Sequence, residues 1–115
     1  MKILVPIEND MIYQHFGHTP ALRLYDVEGN TVLHTKDYVP NGQGHVIMCQ
    51  IALDLGANVV IAGGFGLPVQ QTLSSNGIQI YGGVSGRADD AVLAYLEGTL
   101  TYNPDIAKHH CGCHH

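Results

Sequence analysis

The chain opens on an unbroken apolar run, Ile3-Leu4-Val5-Pro6-Ile7, which predicts a strand covered on both faces. Glu8-Asn9-Asp10 breaks it, and His15-Phe16-Gly17-His18-Thr19-Pro20 reads as a loop. From Ala21 to Val27 the pattern alternates, with Leu22 and Leu24 on one face and Arg23 and Tyr25 on the other. The Glu28-Gly29-Asn30 turn and the run from Thr31 to Asp37 then predict the returning strand of a hairpin.

After residue 40 the period changes. Asn41-Gly42-Gln43-Gly44 opens a helix with an apolar stripe of Ile47, Met48, Ile51, Ala52 and Leu55, ended by Gly56. Asn58 to Ala62 predicts a buried strand, followed by the tight turn Gly63-Gly64-Phe65-Gly66. Leu67-Pro68 starts a second helix, where Pro68 suits the first turn, and Asn76-Gly77 stops it. Ile78 to Tyr81 is another strand. Gly82-Gly83-Val84-Ser85-Gly86 leads to a third helix carrying Ala88, Ala91, Val92, Tyr95 and Leu96, with Ser85 as a candidate cap and Gly98 as its close.

The order β-β-β-α-β-α-β-α, with short strand–helix–strand links, demands parallel pairing in the second half. It predicts a three-layer α/β domain on a mixed five-stranded sheet, spanning residues 1–98. Residues 99–115 lose both periods and read as a flexible tail rich in histidine and cysteine.

The 115 residues fit one domain. Ten acidic against five basic residues give a net charge of −5, and the five cations form no stripe that would neutralise phosphates, so nucleic acid is disfavoured as a partner. The apolar runs are too short to cross a bilayer, and the first residues lack the features of an export signal, so a soluble cytoplasmic protein is expected.

Ligands of open α/β sheets collect outside the carboxyl ends of the strands. Four loops are expected there: residues 9–19, 42–45, 63–66 and 82–86. They offer Gly42, Gly44, Gly63, Gly64, Gly66, Ser85 and Gly86 for close backbone approach, with helix N-termini that favour an anion. Neither nucleotide-phosphate glycine fingerprint is complete, so a nucleotide is disfavoured. His15 and His18, flanking Phe16-Gly17, and His45 at the first helix are candidate metal ligands. Cys49, one helical turn past His45, reads as a small buried residue. Cys111 and Cys113, among His109, His110, His114 and His115, suit a soft or borderline metal such as zinc, nickel or copper. No spacing compels a carboxylate pair or a nucleophile with its base, so no enzyme is expected.

Several segments together resemble the dinitrogenase iron–molybdenum cofactor-binding family, which includes NifX, NafY and the carboxyl-terminal domain of NifB. They are Met1–Ile7, Gln14–Pro20, Tyr25–Val27, Gly42–Gly44, Asp54–Gly66 and Tyr81–Gly86. The resemblance covers about residues 1–98. It implies a ribonuclease H-like fold and an anionic metal–sulfur cluster, iron-based with molybdenum as a candidate metal, that is carried and not transformed. It also implies that His15 is a cluster ligand or contact, and that partners donate and accept the cluster. A mononuclear metal chaperone or buffer using the His/Cys tail is the alternative function.

Overall fold

The computed structural model describes residues 1–104. Its strands are β1 (Lys2–Glu8), β2 (Met11–Ile12), β3 (Ala21–Glu28), β4 (Thr31–Tyr38), β5 (Val59–Ile61) and β6 (Gln79–Tyr81). Its helices are α1 (His45–Asp54), α2 (Leu67–Ser75) and α3 (Ala88–Glu97), with a 3₁₀ turn at Phe16–His18. The sheet order is β4-β3-β1-β5-β6, with β2 paired on the end of β1. Strands β2, β3 and β4 run antiparallel to their neighbours, whereas β1, β5 and β6 are parallel.

The sheet therefore has six strands, one more than the sequence pattern predicts. The addition is a two-residue hairpin return. Asn9 and Asp10 both take positive φ, 53° and 66°, a conformation that Asn and Asp tolerate best after glycine. This tight turn pairs Glu8 with Met11 and Ile7 with Ile12.

Alternation along β1 builds a core on each face of the sheet. Ile3, Val5 and Ile7 join Tyr25, Val27 and Ile61 against Ala88, Ala91 and Val92 of α3. Leu4, Leu22 and Val60 face the other way, against Met48 and Ala52 of α1 and Val69 and Leu73 of α2. The three-layer arrangement follows from that alternation.

Three local expectations need correction. The buried face of α1 is Met48, Cys49 and Ala52, so the stripe is rotated toward Cys49, and Ile47, Ile51 and Leu55 are only partly covered. Ser85 does not cap α3. Arg87 holds the N-cap position without a side-chain bond, and the Ala88 N–H donates instead to the Asp10 carbonyl at 2.9 Å. The chain past Gly98 is also packed as far as it is described. Leu100 packs on the core, Tyr102 meets Tyr81 edge-to-face at 4.8 Å, and the Asn103 N–H donates to the Gly82 carbonyl at 2.8 Å. Cys111, Cys113 and the tail histidines lie outside the described residues.

Candidate functional site

A cleft of about 660 Å³ opens beyond the carboxyl ends of β1 and β5, between the starts of α1 and α2. One wall is the loop after β2. Phe16 is 1% exposed and packs into the core under α1 and α2, which pins the loop from below. The buried Thr19 hydroxyl donates to the Phe16 carbonyl at 2.7 Å and closes the turn. With Phe16 turned inward, His15 and His18 on either side of Phe16-Gly17 are exposed at the cleft. Tyr13 meets the His15 ring edge-on at 6.1 Å, a geometry that restrains the imidazole.

The opposite walls are backbone. His15 and Gly64 form an isolated parallel bridge, in which the Gly64 N–H donates to Gln14 at 2.9 Å and the Phe16 N–H donates to Gly64 at 3.2 Å. A Cβ at Gly64 would sit 2.8 Å from the Gln14 carbonyl oxygen, so this approach requires glycine. The Gly44 N–H donates to the Gly17 carbonyl at 2.7 Å and ties the histidine loop to the start of α1. Gly44, at φ 111°, delivers His45 as the first residue of that helix.

Both helices present their N-termini to the cleft with no side-chain cap and no acidic residue in the first turn. Their first N–H groups, including those of His45, Val46, Leu67 and Val69, have no intrahelical acceptor. None of the cleft-lining residues is Asp, Glu, Lys or Arg. In a chain of net charge −5, this pairing of positive dipole ends with an acid-free wall favours an anion over a cation. Three imidazoles add nitrogen donors.

Of the residues singled out in the sequence, His15, Phe16, Gly17, His18, Gly44, His45, Gly64 and Gly66 line this cleft. Gly42, Gly63, Ser85 and Gly86 do not. Gly42 sits against the Ile47 side chain, and Gly63 is buried beneath Gln14. Gly83 turns the third glycine loop back on β5, its N–H donating to the Gly63 carbonyl at 2.7 Å, while Ser85 and Gly86 line a separate groove beside α3. Among the described residues no three His, Cys, Asp or Glu side chains converge as a metal-ion site. His15, His18 and His45 thus share a cleft without forming a mononuclear centre.

Sequence reasoning missed Gln14, whose amide donates to the Ile12 and Val84 carbonyls at 3.2 and 3.1 Å and joins the first loop to the third. It also missed Phe65, Pro68 and Val69, which give the cleft an apolar side. Gln14, Phe65 and Pro68 lie in segments the sequence singles out, but nothing local marks them or Val69 as cleft residues. Cys49 is buried, and burial pushes its thiol above the ordinary range.

A second groove of about 710 Å³ lies on the α3 side. At its centre one guanidinium meets three carboxylates. The Arg23 guanidinium, 13% exposed, meets Asp10 and Asp37 at 2.7 Å and Asp89 at 3.3 Å, and Asp89 also accepts from the Tyr25 hydroxyl at 2.5 Å. These contacts staple the β1–β2 turn, β4 and α3 together.

The family model for the dinitrogenase iron–molybdenum cofactor matches residues 1–98. The chain belongs to that family. An uncharacterized protein of Methanocaldococcus jannaschii is 27% identical over 107 residues, covering 87% of this chain and 89% of its own. The crystal structure of PH0822 superposes with a TM-score of 0.84 at 28% identity, covering 91% of this chain and 96% of that one. The apo orange protein of Desulfovibrio gigas shares the fold, with a TM-score of 0.76 at 19% identity, over 90% of this chain and 92% of its own. Among the described residues no helix is long and apolar enough to cross a membrane.

Proposed function

We propose that this chain binds and carries an anionic metal–sulfur cluster of the iron–molybdenum type, without transforming it, as a scaffold or delivery protein in metallocluster biosynthesis. The carrying observation is the acid-free cleft on which two uncapped helix N-termini and three imidazoles open. Family membership supports the cargo class. The donor set fits such a body: imidazole nitrogens address its metals, and peptide N–H groups address its sulfides. Because His15, His18 and His45 form no single-ion site, they suit different edges of a cluster better than one ion. The three-layer fold agrees with a ribonuclease H-like assignment, and the cytoplasm is the compartment this reading implies, with cluster-donating and cluster-accepting proteins as partners.

The energetics also suit a carrier. A helix end contributes about 0.3–1 kcal/mol toward an anion, and up to about 2 kcal/mol when partly buried. Affinity built from several such modest contributions permits release to an acceptor.

The test is anaerobic reconstitution with ferrous iron, molybdate, sulfide and a reductant, followed by metal analysis and visible absorption. The wild-type chain is expected to emerge coloured and loaded, and His15→Ala to retain at most a fifth as much metal. A colourless, metal-free wild type would overturn the carrier reading. Equal loading of the variant would overturn the role of His15.

A further inference from the structure

Gln14 is the residue before His15, between β2 and the histidine turn, and it lines the cleft. Its side chain reaches across to the third glycine loop. Nε2 donates to the Ile12 carbonyl at 3.2 Å and to the Val84 carbonyl at 3.1 Å. Two oxygen acceptors fix which end of the amide is nitrogen, and they use both of its hydrogens. Beneath lies Gly63, where a Cβ would fall 2.5 Å from the Gln14 Cδ and Oε1 and 2.6 Å from Nε2. Near-equal distances to three atoms of one plane mean that the amide lies flat across Gly63.

These bonds close a ring. The Gly64 N–H donates to the Gln14 carbonyl at 2.9 Å, the Gly83 N–H donates to the Gly63 carbonyl at 2.7 Å, and Gln14 Nε2 reaches Val84, the residue after Gly83. Gln14 is thus held twice, by its main chain at the second glycine loop and by its side chain at the third. Among the described residues the His15 imidazole makes no hydrogen bond of its own and meets the edge of the Tyr13 ring at 6.1 Å. Its direction is set by the backbone on either side, Gln14 before it and the buried Phe16 after it.

We propose that Gln14 is the positioning residue of the cleft: its amide, held between Gly63 and the Ile12 and Val84 carbonyls, fixes the direction of His15 toward the cargo. This rests on the carrier reading above. A ligand already held in its bound direction loses less freedom on binding, so affinity falls when the amide is removed or displaced. Gly63 leaves the amide its place. It does not take positive φ, so alanine there displaces the Gln14 amide without straining the backbone.

The experiment compares the full chain with Gln14→Met, which keeps the length without the amide, with Gly63→Ala, which displaces the amide, and with the double variant. Two quantities are read by anaerobic NMR. One is the His15 imidazole resonances of the ligand-free proteins, which the Tyr13 ring current makes sensitive to direction. The other is the dissociation constant of tetrathiomolybdate, taken from the His15 amide shift. Each single variant is expected to move the His15 imidazole resonances and to weaken binding about fivefold or more, while the His45 imidazole resonances stay in place. The double variant is expected to bind no more weakly than the weaker single one, because Gly63 acts only through the amide. Unmoved His15 resonances, or wild-type affinity, in either single variant would overturn the positioning role while leaving the carrier reading intact. Losses that add in the double variant would overturn it too. If Gln14→Met fails to fold, Gly63→Ala gives the same two readings. A wild type with no saturable shift would overturn the carrier reading, and the ligand-free resonances would still decide whether Gln14 directs His15.

Discussion

His15 is locked to Gly64 by a single rung of parallel backbone pairing, the Gly64 N–H reaching Gln14 at 2.9 Å and the Phe16 N–H reaching Gly64 at 3.2 Å. This rung fixes the spacing between the histidine loop and the turn that starts α2. It also leaves no room for a side chain, because a Cβ at Gly64 would lie 2.8 Å from a backbone oxygen. Gly64→Ala must therefore separate the two walls. Overpacking of this kind costs about 1–3 kcal/mol. Urea denaturation is expected to show a loss in that range, and cargo retention is expected to fall with it. A variant as stable as wild type would mean the walls are free to move apart.

Phe16 anchors the loop through packing and not through ligand contact. At 1% exposure, its removal leaves a cavity beneath the cleft, and Phe→Ala changes in such places cost about 3–5 kcal/mol. Phe16→Leu keeps most of the volume and is expected to lose less than half as much. Chemical denaturation of both variants checks this. If Phe16→Ala proved nearly neutral, the loop would be held by its hydrogen bonds alone.

Cys49 and the tail cysteines are expected to differ in chemistry. Cys49 is buried, and burial raises its thiol pKa, so its thiolate is scarce at neutral pH. Labelling with iodoacetamide at pH 7.5, followed by peptide mapping, is expected to modify Cys49 at least tenfold faster in urea than in native protein. Equal rates would show that the α1 helix end opens readily.

The Arg23 staple gives stability a defined acid limit. The guanidinium, first by hydrogen bond and then by charge, holds the Asp10 carboxyl below its ordinary value of 3.8. A depressed folded-state pKa means stability that is full above the unfolded value and is lost as pH falls through the folded one. The melting temperature is accordingly expected to hold down to about pH 4 and to fall below it. Arg23→Gln is expected to be less stable at pH 7 and to show a shallower acid decline. Parallel wild-type and variant curves would contradict the assignment. The Asp10 side chain is 54% exposed, so the effect is modest.

Much of this architecture was legible in the residues. The continuous run at Ile3–Ile7, the alternation from Ala21 and the helical spacing around Ala91 each report burial on a definite face, and burial is what hydropathy encodes. The β2 return was not legible, because Met11-Ile12 is too short to carry a period. The Asn9-Asp10 pair was its only signal. In the site, imidazole loops and helix starts could be read as a shared rim. The exclusion of Ser85 and Gly86 could not, since this loop is held by long-range backbone bonds that join Gly83 to Gly63, Val84 to Ala62 and Ile12 to Gly86. The packing of Tyr102 on Tyr81 is likewise a tertiary contact with no local signature.

The most direct test of the central claim is an anaerobic NMR titration of ¹⁵N-labelled full chain with tetrathiomolybdate, an anionic metal–sulfur ion. The account predicts saturable shifts concentrated in the amides of His15–His18, His45–Ile47, Leu67 and Val69, with the first turn of α3 at Asp89 and Asp90 unmoved. Shifts centred on the Arg23 groove, or none at millimolar ion, would contradict it.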